Sequence, residues 1–303
     1  MYAHFDEIVS AVRAHPSRQV LAIAGAEDRP VVEAALAAQK AAIAEPIFVG
    51  RRAEVASILK ETGENPEKFR IEEAGAAGPA QTAVELVQSG EAGALMKGLI
   101  ETRDMLKPVV SKENKLNTGR PMTHLAFFSL PNYSRLIACT DGGMMVYPTL
   151  DDKKHIIQNA ASALHAMGYE RPAIAVLAGI EKVNPKMKET VEADALHQMA
   201  LRGEIQGCDV IGPISYDVAM SAEIAHHKGY ECPLCGAFDV LVVPDLASGT
   251  ILGKSLIISA GAAMAGIVIG AAAPIVLTSR GSTAQEKFYS IALASLVASG
   301  MKN

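Results

Sequence analysis

Near the C-terminus a hydroxyl, a guanidinium, a glycine and a carboxylate fall together in the stretch LTSRGSTAQEK, residues 277–287. An apolar strand gives way to a helix here. Such turns suit anions, because free N–H groups and the helix dipole point the same way. Arg280 offers a planar fork for phosphate or carboxylate, with the Ser279 hydroxyl beside it. The plainer reading is a surface arginine and a turn serine. Thr283 and Glu286 have the S/T-x-x-E spacing of a capping box, which accounts for Glu286 structurally. The same carboxylate, close to a helix start and an arginine, could instead act as a general base.

Other chemistry-bearing residues collect after apolar runs. Lys97 precedes Gly98, and Lys182 and Asn184 belong to the loop EKVNP, residues 181–185. Both lysines could hold phosphate groups, although loop lysines are usually solvated. Asp141-Gly142-Gly143 reads equally well as a plain turn. Cys232 and Cys235, preceded by His226 and His227, suggest a metal clip but fall short of a full zinc ligand set. No metal site is expected. The patterns G-x-x-x-x-G-K-[ST], G-x-G-x-x-G and G-x-S-x-G are absent, which removes the nucleotide and hydrolase classes that they mark.

The elements that must position these groups can be read in order. A helix at about 4–14 leads to the continuous apolar run Gln19–Ala24, which suits a central strand of a parallel sheet. Helices from about Pro30, from about Arg52 and at Pro79–Ser89 alternate with strands at Pro46–Gly50 and Gly93–Met96. Further strands are expected at Arg135–Thr140, Ala173–Leu177, Asp209–Ile211, Asp239–Val243 and Pro274–Thr278, with helices at about 152–167 and 185–202. This alternation predicts an α/β fold with mostly parallel sheets, whose functional loops lie at the carboxyl ends of the strands.

The run Leu256–Leu277 carries no charge and contains a Gly266–Gly270 GxxxG. By length it could span a bilayer, but it is mostly Ala and Gly, holds Pro274 and has no Trp or Tyr at its edges. A buried helix at about 255–270 feeding a strand at about 273–278 is the better reading. A net charge of −5 over 303 residues gives no reason to expect nucleic-acid binding. The N-terminal segment lacks a basic region followed by an apolar one, and four scattered cysteines make no disulfide framework. A cytoplasmic globular protein with no membrane partner is expected.

Several long motifs in the same order carry a resemblance: LMKGLIET (95–102), TDGGMMVYP (140–148), AGIEKVNPKMKETVEADAL (178–196), GEIQGCDVIGP (203–213), HHKGY (226–230) and VLTSRGSTAQEKFYSIALA (276–294). Together they resemble the phosphate acyltransferases, the phosphotransacetylase/phosphotransbutyrylase family, and more closely the butyryl branch. The resemblance implies a two-domain fold similar to isocitrate and isopropylmalate dehydrogenases, with the active site in the interdomain cleft. It implies domains at 1–143 plus 273–303 and at 144–272, the second inserted in the first. It implies reversible transfer of a short acyl group, butyryl before acetyl, between CoA and inorganic phosphate. CoA is then a substrate, no cofactor is needed, and a homodimer or larger homo-oligomer is expected.

By position, the resemblance makes Arg280 the phosphate ligand and Ser279 the partner of the developing thiolate or oxyanion. Glu286 stands where the acetyl branch has an aspartate base. Thr123 matches a threonine near the phosphoryl group, His124 replaces a serine, and Lys97 replaces a serine before glycine. Lys97, Thr123, His124, Lys182 and Asn184 are thus the substrate-binding candidates. Gly249-Thr250 replaces the Gly-Asn of many relatives. Two other classes compete. A decarboxylating hydroxy-acid dehydrogenase would need an arginine and aspartate cluster that the sequence does not show, and a membrane-associated protein rests only on Leu256–Leu277.

Overall fold

The run Gln19–Ala24 forms β1, buried on both faces as a central strand requires. The structure is a computed structural model and describes residues 1–279 and 281–301. Around β1 the chain builds α1 (Phe5–Ala14), α2 (Arg29–Lys40), β2 (Ala44–Gly50), α3 (Arg52–Glu61), β3 (Arg70–Glu73), α4 (Pro79–Gln88), β4 (Ala94–Lys97) and α5 (Thr102–Val110). Next come β5 (Thr123–Ser129), β6 (Ile137–Thr140), α6 (Leu150–Ala166), β7 (Ala173–Leu177), α7 (Lys188–Leu201), β8 (Asp209–Ile214), α8 (Tyr216–Met220), α9 (Ala222–His227), β9 (Val240–Val242) and α10 (Leu246–Ile258). The chain ends with β10 (Ala263–Ile269), β11 (Ile275–Val276) and α11 (Ala284–Met301).

Two compact units result, one of Tyr2–Arg120 with Ala265–Asn303 and the other of Met1 with Pro121–Met264. The chain therefore leaves the first unit and returns to it, but not at 143/144 and 272/273. Strand pairing sets the difference: β5 pairs antiparallel with β6, and β6 pairs parallel with β9, which holds residues 123–140 in the inserted unit. In the first unit the strand order is β3-β2-β1-β4-β11-β10, parallel except between β10 and β11. In the inserted unit it is β5-β6-β9-β7-β8, parallel except between β5 and β6. The expected mostly parallel α/β architecture is present.

Each unit has its own apolar interior. Phe48, Leu21, Ile23, Leu95 and Met96 are fully buried in the first, and Phe128, Ile137, Ile214, Val218, Phe238 and Leu241 cluster in the inserted unit. Pro30 lies in the first turn of α2, where its missing N–H costs nothing, and Val32, Ala35, Leu36 and Ala38 fill the face that α2 buries. In α6, Thr149 and Asp152 form a reciprocal capping box, and Ile156, Ile157, Ala160 and Leu164 lie on the buried face.

The helix expected at 255–270 is not formed. Helix α10 is capped by Asp245, whose side chain accepts from Ser248 N at 2.8 Å, and it ends at Ile258. Gly261 then turns the chain with φ +68°, and residues 263–269 form β10, buried from Ala265 onward. The β-branched Ile267-Val268-Ile269 run outweighs the helical preference of the alanines around it, because both faces of the strand are covered. The GxxxG pair accordingly belongs to strand chemistry, and no described helix is long and apolar enough to cross a membrane. The strand expected at 274–278 shrinks to Ile275–Val276, so two residues of irregular chain, Leu277 and Thr278, separate it from Ser279.

Candidate active site

Three neighbouring strands of the first unit end side by side. Ala24 of β1 pairs with Lys97 of β4, and Val276 of β11 pairs with Met96 of β4. Their carboxyl ends therefore release Gly25, Gly98 and the segment Leu277–Ser279 at one edge, where parallel α/β sheets hold ligands. Gly98 is locked there: its N–H donates to Ala24 O at 2.8 Å, and a Cβ would overlap the Gly25 carbonyl oxygen. Leu99 N donates to Gly25 O at 2.6 Å, and Gly25 has φ +73°. A pocket of about 440 Å³ opens at this edge, lined in part by Lys97, Gly98, Ile100, Thr278, Ser279 and Lys287. That volume is in the range of small-molecule sites.

Lys97 is 9% exposed and donates to the carbonyls of Gly98 and Ile100 at 3.2 and 3.1 Å. Ser279 is exposed, and its hydroxyl accepts from Gly281 N at 3.4 Å. Arg280 lies outside the described residues. Glu286 forms the capping box: Thr283 N donates to its carboxylate at 2.9 Å, and Glu286 N donates to Thr283 Oγ1 at 3.1 Å. Its carboxylate is thus turned back on the start of α11. One residue on, Lys287 is 4% exposed, lines the pocket and donates to Ser282 O at 2.5 Å.

The other candidates belong to the inserted unit. Thr123 and His124 open β5; Thr123 is fully buried and accepts from Asn159 Nδ2 at 3.3 Å. His124 keeps some solvent contact, yet burial of its ring lowers its pKa to about 4. At neutral pH it can offer a neutral ring to a substrate, not a charge. Gly143 packs on that ring, since a Cβ there would sit 2.9–3.1 Å from its atoms. Asp141 is 1% exposed and accepts from the N–H groups of Gly143 and Met144 at 2.9 Å each, and Met145 at 3.2 Å. Burial raises its pKa, against the lowering effect of those bonds. Lys182 is exposed. Asn184 shapes the approach to α7, donating its N–H to Thr190 Oγ1 at 2.9 Å and accepting from Lys186 N at 3.0 Å.

A family profile described as phosphate acetyl/butaryl transferase matches residues 76–295 of this chain. The chain is also 40% identical over 299 residues to a phosphate butyryltransferase of Clostridium acetobutylicum, covering 98% of this chain and 99% of that protein. The chain belongs to the phosphate acetyl/butyryl transferase family. It is 38% identical to a phosphate acetyltransferase of Thermotoga maritima, covering 92% of this chain and 95% of that one. Among solved structures it resembles a branched-chain phosphotransacylase from Enterococcus faecalis, with TM-score 0.80 and 32% identity over 92% of this chain and 99% of the other.

Within this phosphate acyltransferase chain, Ser279 and Lys97 meet in one pocket, while Thr123, His124, Lys182 and Asn184 are carried by the inserted unit. Lys287 was not among the sequence candidates, although one signal was legible. A lysine in the first turn of α11 opposes the helix dipole, an arrangement that needs a reason. The thiols of Cys139 and Cys235 are pushed up to about 12 and that of Cys208 to about 11, burial being the largest cause in each. Those three groups stay protonated at neutral pH and make poor nucleophiles. Among the described residues no group of three or more His, Cys, Asp or Glu side chains is arranged to hold a metal.

Proposed function

We infer that this phosphate acyltransferase transfers a butyryl group between CoA and inorganic phosphate, with Ser279, Arg280 and Glu286 in catalytic roles. The observation that supports the reading is the pocket at the strand ends, where Ser279 lies with two buried lysines, in a chain matched along its length by a phosphate butyryltransferase. A thioester is already activated, so the chemistry needs orientation and charge neutralisation more than a covalent intermediate. A phosphate oxygen attacks the thioester carbonyl, the new C–O bond forms, the C–S bond breaks and CoA leaves as its thiolate. Arg280 holds the phosphate and Ser279 donates to the developing thiolate or oxyanion. In reverse, Glu286 takes the proton from the CoA thiol before sulfur attacks the acyl phosphate.

No step in this scheme calls for a metal or a nicotinamide, so no cofactor is proposed. Thr123, His124, Lys182 and Asn184 complete the substrate contacts in the proposal, and a cytoplasmic homodimer or larger homo-oligomer belongs to it as well. The likeness to isocitrate and isopropylmalate dehydrogenases that the family resemblance implies remains part of the proposal, and the mostly parallel sheet with helices between its strands is consistent with it. Acetyl transfer is the second reading, supported by the 38% identity to the Thermotoga maritima acetyltransferase. Each methylene in an acyl pocket is worth only about 1–3 kcal/mol, so catalytic efficiencies across acetyl-, propionyl-, butyryl- and branched acyl-CoA separate the two. The purified protein is expected to release CoA from butyryl-CoA only when phosphate is present. Retention of full phosphate-dependent turnover in Arg280→Ala would remove the assigned role of Arg280.

A further inference from the structure

We propose that Lys287 is a phosphate-binding residue of this enzyme, supplying its ammonium to the phosphoryl oxygens of inorganic phosphate and of the acyl phosphate product. The inference rests on the acyltransferase reading and adds a ligand that the Ser-Arg motif does not contain. Three observations carry it. Lys287 is 4% exposed, so its charge is largely removed from water. The one hydrogen bond of its ammonium among the described residues is to a neutral carbonyl, that of Ser282, and no described carboxylate lies within ion-pair distance. It lines the same pocket as Ser279 and Lys97.

A buried ammonium without a counter-ion is costly, and the first turn of a helix adds unfavourable dipole energy to that cost. The nearest acids do not relieve it. Glu286 spends its carboxylate on Thr283 N, and of the acidic residues of the pocket lining Asp28 is partly exposed and Glu101 is exposed. An anion in the pocket reverses every sign: it pairs with Lys287, and the N-terminus of α11 then favours it. Phosphate is the anion that the reaction brings. The competing explanation is structural, with Lys287 only tying the Ser282 carbonyl to the helix start.

Kinetics of Lys287→Gln and Lys287→Arg separate the two, because Gln can still donate to Ser282 but carries no charge. For Lys287→Gln, loss of one charge-assisted contact should raise the phosphate KM about tenfold or more and leave the butyryl-CoA KM within about twofold. The rise in Tm that inorganic phosphate gives the wild type should vanish in Lys287→Gln and return in Lys287→Arg. A phosphate KM within about twofold of wild type in Lys287→Gln, or an equal rise of both KM values, overturns the proposal. Should Lys287→Gln not fold, the wild type decides: its Lys287 Nζ resonance, assigned by its loss in Lys287→Arg, must shift on titration with inorganic phosphate, and an unmoved resonance refutes the contact. Wild-type protein that binds phosphate but releases no CoA from any acyl-CoA would sink the acyltransferase reading instead, leaving the Lys287 contact standing.

Discussion

Glu286 holds two positions that one substitution can separate. As a cap, its carboxylate accepts from Thr283 N while Thr283 Oγ1 accepts from Glu286 N. A glutamine at N3 can close the same box, so Glu286→Gln should keep thermal stability while removing the proposed base. In the direction that consumes free CoA, turnover should then fall about 10²–10⁴-fold. Thr283→Ala is the converse: urea unfolding should show a loss of about 1 kcal/mol with kcat nearly intact. Glu286→Gln with full activity in that direction would leave Glu286 as a cap alone. The sequence contained both readings of this residue, since the S/T-x-x-E spacing is local. It did not show Lys287 as buried, because burial depends on what α1 and α2 pack against α11.

At the scale of elements, the candidate site is made by strand ends rather than by any one motif. Gly98 has no room for a side chain against the Gly25 turn, and it lines the pocket. Gly98→Ala should therefore cost about 1–3 kcal/mol of stability by overpacking and lower activity together, measured by urea unfolding and steady-state kinetics. Wild-type stability in that variant would mean that the turn can move aside. Most strands and helices were legible as apolar runs and periodic segments, among them β1, β7, α2 and α6. The segment 263–269 was misread because alanine favours helix locally, whereas burial of both faces selects strand. Strands β3 and β5 and helix α5 went unread; β3 is short and largely polar, with only Ile71 buried.

For the whole molecule, the buried titratable groups predict a pH dependence. His124 has a folded pKa of about 4 against 6.5 when exposed to solvent, so between these values the unfolded chain binds the extra proton. Its contribution to stability is whole above about pH 6.5 and is lost as pH falls towards about 4. Asp141 and Asp239, both raised by burial, act with the opposite sign as pH climbs above the usual carboxylate range. The difference between wild type and His124→Gln in urea unfolding across pH 4–7 isolates the histidine, and it should shrink on acidification. A constant difference would show that the ring titrates normally. The sequence by itself determined the alternation of strand and helix, the mostly parallel α/β class and the family, because periodicity and ordered motifs are written in consecutive residues. Tertiary structure alone decided that Ala24, Lys97 and Ser279 share one edge, that the inserted unit begins before β5, and that Lys287 is buried with no counter-ion among the described residues. Each of those follows from pairings such as Leu95 with Ile275, distant in the chain and therefore invisible to any local pattern.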